Sequence, residues 1–127
     1  MAFLIVFLGS GIGGACRYGA GMWAMRFLSP ANAMIGTFGI NVLGSMLMAM
    51  VAESFALRSG WPAEWRLFLA TGILGGFTTF SSFTLEIVTL YQRGELGFAA
   101  AYMVGSVALS LVGFFLGLAL VRMVAAA

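Results

Sequence analysis

Four apolar runs, each at least 25 residues long, follow one another along the chain with only short polar interruptions, at about 3–27, 33–57, 64–92 and 96–121. A helix crosses the hydrocarbon core of a bilayer with about 20 residues. Every run is therefore long enough to span, and four spans account for nearly the whole chain. The charge content agrees. Only 8% of residues are charged and 62% are hydrophobic, whereas a soluble domain carries roughly 25% Asp, Glu, Lys and Arg. A chain of 127 residues cannot hide that much apolar surface from water, so lipid must be its solvent. The expectation is an all-α integral membrane protein, one four-helix transmembrane domain over 1–127, with no soluble domain.

The interruptions read as connections. LSPAN, with Pro30 and Asn32, is a turn. The loop from Arg58 to Arg66 carries Gly60, Pro62 and Glu64, and its Trp61 and Trp65 suit an interfacial aromatic belt. Arg93-Gly94-Glu95 is a tight turn. The opening MAFLIVFLG has no basic flank and reads as the start of the first span, not a signal peptide. Four spans put both ends of the chain on one side. Arg26 and Arg93 then flank one face of the membrane, and Arg58, Arg66 and Arg122 the other. Orientation follows the Lys and Arg excess in short loops. Two against three leaves open a single orientation or insertion both ways, with opposed copies pairing as an antiparallel homodimer.

Residue inventory removes several chemistries. There is no histidine, hence no His-ligated metal, Ser-His triad or imidazole relay. There is no lysine for a Ser-Lys pair. Cys16 is the sole cysteine, so no internal disulfide forms. A net charge of +2 says little about nucleic acid in a membrane chain, where basic residues mark loops. An enzyme is not expected.

Each span nevertheless carries polar or small residues in register. In the first, Gly13, Arg17 and Gly21 recur every four residues, a pattern that lets helices approach closely. The run Gly9-Ser10-Gly11-Ile12-Gly13-Gly14 formally matches a dinucleotide fingerprint. That reading needs a strand–helix–strand unit and an acid about 20 residues on, and the next acid is Glu53. In the second span Thr37, Asn41 and Ser45 share a face with Gly44 beside them. The bland reading is interhelical hydrogen bonding, but an amide at mid-membrane has two donors and an acceptor to satisfy. In the fourth, Tyr102, Ser106 and Ser110 form a similar stripe, followed by Gly113 and Gly117.

The third span departs furthest from a plain anchor. Its stretch Gly72–Glu86 reads GILGGFTTFSSFTLE. Gly75 and Gly76 each weaken a helix by about 1 kcal/mol relative to Ala, so the helix is expected to open between Gly75 and Thr78, near its middle. Carbonyls freed there need another helix, water or a cation. Thr78, Thr79, Ser81 and Ser82 supply hydroxyls, and Phe80 and Phe83 share a face. Ring edges are positive and can touch a small anion while the ring bodies exclude softer ones; ordinary packing is the alternative. Asn41, Tyr102, Ser106, Ser110 and the threonines can replace an anion's water shell, and Arg17 can attract it. Glu86, an acid well inside the third apolar run, serves a hydroxyl network, snorkels to the interface or carries protons.

Four passages, GGACRYG, GTFGINVLGS, GILGGFTTFSSFTLE and the Tyr102–Ser106–Ser110 stripe, resemble the Fluc (CrcB) family of fluoride channels over essentially the whole chain. The resemblance implies an antiparallel dual-topology homodimer in the inner (plasma) membrane, with two pores that passively export cytoplasmic fluoride. It implies that Phe80 and Phe83 contact the ion by their ring edges and that Asn41 is the pore asparagine. Thr37, Glu86, Tyr102, Ser106 and Ser110 would form a polar track, and Arg17 would sit in a vestibule. Carbonyls of Gly75 and Thr78 would hold a structural sodium ion (Na+) at the dimer interface. Ser82 stands where many relatives have Thr, and Thr84 where Ser is frequent; both changes keep a hydroxyl. Two other classes remain to be weighed. A small multidrug-type proton-coupled transporter would use Glu86, although such proteins resemble one another in an acid of the first span, which this chain lacks. A non-transporting assembly subunit would not depend on Phe80 or Phe83 at all.

Overall fold

The computed structural model describes residues 1–28, 33–58 and 60–127. The expected turn at Pro30 and Asn32 lies outside them. Among the described residues the chain is all helix, with no strand. The first span is α1, Ala2–Leu28, and the second is α2, Ala33–Leu57. The third comprises α3 (Ala63–Arg66), a π-helical stretch (Leu67–Leu74), α4 (Gly75–Phe77) and α5 (Phe80–Gln92). The fourth is α6, Leu96–Ala126. All four spans are long and apolar enough to cross a membrane, and the chain is a multi-pass membrane protein. At 31 residues, α6 would measure about 46 Å. It runs past Arg122, beyond the apolar run read from the sequence.

Glycine contacts set the direction of the helices. Gly9 meets Phe68 and Gly72, while Gly13 meets Ile73 and Phe77. The order rises together, so the first and third spans run parallel. Gly113 meets Val42 and Met46, while Gly117 meets Met46 and Ala49, so the second and fourth run parallel too. Gly36 lies against Ala24, as in an antiparallel pair. The close approach of α1 sets Gly9 against Gly72 and Gly13 against Ile73, with Gly76 on the backbone of Ser10. Gly21, expected on the packing face with Gly13, has open space around it. The reason is that the face of α1 turned to the third span is used only over its first half.

The turn at Arg93-Gly94-Glu95 ends α5 through two backbone bonds, Gly94 N–H to Tyr91 O at 3.0 Å and Glu95 N–H to Leu90 O at 3.0 Å. This double closure needs a left-handed residue after the helix, and Gly94 supplies it with φ 78°. The tight link brings α5 back against α6, where Phe83, Leu90, Ala99 and Tyr102 form a buried cluster flanked by Met34, Phe38 and Ile87. Elsewhere large apolar side chains face outward, among them Phe3, Phe7, Trp23, Phe115 and Met123. In a bilayer that is the favourable direction for them.

Candidate functional site

Helix geometry fails at two residues of the third span. Thr78 (φ −75°, ψ 156°) and Thr79 (φ −147°, ψ 119°) are extended between α4 and α5. Gly75 and Gly76, expected to weaken the helix, stay helical as the start of α4. The extended pair instead coincides with the two threonines, whose side chains offer the backbone other partners. Thr78 closes α4: its N–H and its hydroxyl both donate to Leu74 O, each at 3.0 Å. Thr79 caps α5, with Oγ1 accepting from Ser82 N–H at 3.2 Å. Its hydroxyl also lies 3.1 Å from Ser82 Oγ and 3.3 Å from Ser81 Oγ.

The second span holds this segment in place. Asn41 Nδ2 donates to Thr79 O and Asn41 Oδ1 accepts from Thr79 N–H, both at 2.9 Å. One side-chain amide thus pairs with both backbone groups of a single residue, as a neighbouring strand would. One turn on, Gly44 leaves room for the methyl group of Thr78; a side chain there would collide with it. The sequence reading gave Asn41 to the anion. In the structure its oxygen and one of its two N–H groups already serve Thr79, leaving one donor free among the described residues.

Beside this junction lies an open cleft of about 430 Å3. Asn41, Thr78, Phe80, Phe83, Ser106 and Ser110, all singled out from the sequence, line it. Ser45, Met48, Leu111 and Phe114 also line it, and none of the lining residues is charged. Phe80 is 78% exposed and Phe83 6%. Their rings stand 5.6 Å apart, tilted by 50°. Ser106 is 4% exposed, and among the described residues its Oγ has no hydrogen-bond partner. A buried polar group without a partner is rare, and this one belongs to a residue that lines the cleft.

Behind Phe83 the polar residues converge. Phe83 packs on Tyr102 at 5.5 Å. The Tyr102 hydroxyl donates to Glu86 Oε2 at 2.6 Å, and Thr37 Oγ1 donates to Glu86 Oε1 at 2.7 Å. Three helices thereby place a carboxylate inside the bundle, satisfied on both oxygens. Of the three roles left open for Glu86, these contacts are those of a hydroxyl network. Arg17 is half-buried on α1 and does not line the cleft, and Gly75 faces outward.

Some contributors were missed in the sequence, Val107 and Leu111 among them. Thr79 was counted only as a hydroxyl; its capping signal was faint because Ser82, not Glu or Gln, stands three residues on. Phe114 continues the Tyr102–Ser106–Ser110 spacing by one more step of four and could have been read from it. Met48 carried no signal, since an apolar residue in an apolar helix looks alike on every face.

Comparison with known proteins adds a family. Residues 4–118 match the model of the CrcB-like protein family (Camphor Resistance). A protein of Granulibacter bethesdensis named fluoride-specific ion channel FluC is 54% identical over 96% of this chain and 95% of its own length. One of Nitrobacter hamburgensis, named fluoride-specific ion channel FluC 2, is 48% identical over 96% of this chain and 98% of its own. A fluoride-specific ion channel FluC of Novosphingobium aromaticivorans is 49% identical over 98% of both.

Proposed function

The chain belongs to the CrcB-like family, and on that premise we propose that it is a passive, fluoride-selective channel of the plasma membrane, not an enzyme. Relatives across the full length carry that name. The observation that bears most weight is the cleft at the start of α5. There a partnerless Ser106 hydroxyl, the remaining Asn41 N–H and the Phe80–Phe83 pair face one volume. The N-terminal end of a 13-residue helix adds positive potential without a mobile charge. A dehydrating anion finds hydroxyl and amide donors, a positive helix end and ring edges. Large, soft anions meet the ring bodies and the apolar wall of Met48, Leu111 and Phe114. Thr37, Glu86, Tyr102 and Ser110 extend the polar track on either side of Phe83.

Two copies in opposite orientation would complete the pores. Phe80, exposed in one copy, would be covered by the other, giving two pores per dimer; Arg17 would attract the anion at a vestibule. The central sodium also suits the residues present. In a continuous helix Thr79 N–H would bond Gly75 O and Ser82 N–H would bond Thr78 O. Both donors are diverted to side chains, Asn41 Oδ1 and Thr79 Oγ1. The two carbonyls thus lack their ladder partners beside the C-terminal end of a half-helix, a setting that favours a hard cation. A sodium ion bound there supplies the charge that compensates these carbonyls.

The test is efflux from proteoliposomes. Fluoride should leave and chloride should not, and Phe80→Ile or Phe83→Ile should abolish the flux. Equal chloride efflux, or drug-stimulated proton movement in place of fluoride flux, would overturn the proposal.

A further inference from the structure

Resting on that channel reading, the geometry points to Asn41 as a positioning residue that keeps the third span open and thereby builds the cation site, in addition to any contact it makes with the anion. Its Oδ1 takes the Thr79 N–H at 2.9 Å, and its Nδ2 holds the Thr79 carbonyl at 2.9 Å. The Thr79 N–H is the donor that would otherwise close on Gly75 O. The Asn41 acceptor on the neighbouring helix takes that donor instead. Gly44, one turn along α2, accommodates the Thr78 methyl group and holds the other extended residue in register. The same amide sets the start of α5, because Thr79 is the residue whose hydroxyl caps it. Asn41 therefore links α2 to both sides of the junction: the carbonyls of Gly75 and Thr78 behind it and the donor groups at the head of α5 in front.

A simple anion ligand and a positioning residue differ in what their loss does to cation binding. The experiment measures thermal stability of the purified protein in sodium chloride and in N-methylglucamine chloride, alongside fluoride efflux. Wild type should melt higher in sodium. Asn41→Leu removes the acceptor, lets Thr79 N–H return to Gly75 O, and should lose both the sodium-dependent shift and the flux. If that variant is not monodisperse, Asn41→Ser is read the same way, because its hydroxyl is too short to span both backbone groups of Thr79. A full sodium shift in Asn41→Leu or Asn41→Ser would overturn this inference alone. A wild type whose stability ignores sodium would overturn the sodium reading and this inference together.

Discussion

Ser106 and Glu86 illustrate two opposite fates for a polar side chain in an apolar bundle. Ser106 is buried with its hydroxyl unpartnered among the described residues. Leaving such a group unmet costs about 1–3 kcal/mol, a burden that an occupant of the cleft would relieve. Ser106→Ala should therefore leave the protein as stable as wild type or more so, as measured by thermal melting. Its fluoride efflux should fall by up to about tenfold, the worth of one ordinary hydrogen bond. Glu86 is saturated, with Thr37 and Tyr102 each holding one oxygen. Glu86→Gln leaves a single acceptor for two donors and should destabilise the fold by about 1–3 kcal/mol, measured by chemical or thermal unfolding in detergent. Both residues were visible in the sequence as members of evenly spaced polar stripes. Their difference was not, because partnership depends on which stripe faces which.

At the scale of elements, the helices meet through glycine. A methyl group on Gly13 would strike the carbonyl of Ile73, which the helix backbone cannot withdraw. Gly13→Ala should cost about 1–3 kcal/mol, the range for overpacking a tight contact. Gly21→Ala, in open space, should be neutral or stabilising by up to about 1 kcal/mol through helix propensity. Unfolding measurements on the two variants separate a packing face from a mere run of glycines. The sequence had placed both residues on one face. Spacing alone identifies a face, but not how far along it the partner helix reaches. The junction at Thr78–Thr79 teaches the same lesson. Glycine propensity pointed to Gly75 and Gly76, yet the extended residues are the ones that α2 can hold, with Asn41 and Gly44 opposite them.

For the whole molecule, the outward surface separates into what lipid can cover and what a second copy would. Phe80, at the rim of the cleft, is the exposed ring whose partner matters for the proposed dimer. Phe80→Ala should leave the melting of each subunit nearly unchanged and weaken self-association, read as a shift of the dimerisation curve when labelled protein is diluted in lipid. A cysteine introduced at Gln92 should be labelled from both sides of the membrane if copies insert in opposite orientations; labelling from one side alone would remove the dual topology.

By itself the sequence determined the solvent, the number of spans and the polar inventory, because run length against bilayer thickness leaves few alternatives for an apolar chain. It also marked most of the cleft, since residues spaced by four on a helix must share a face. Only tertiary structure decided that Asn41 binds the backbone of Thr79, that Glu86 closes a three-helix network and that Ser106 is left without a partner. The physical reason is that hydrogen bonds between helices depend on rotation and offset, which periodicity within one helix does not encode. The stretch from Gly72 to Glu86 thus announced its own oddity, but α2 and α6 determine what each of its residues does.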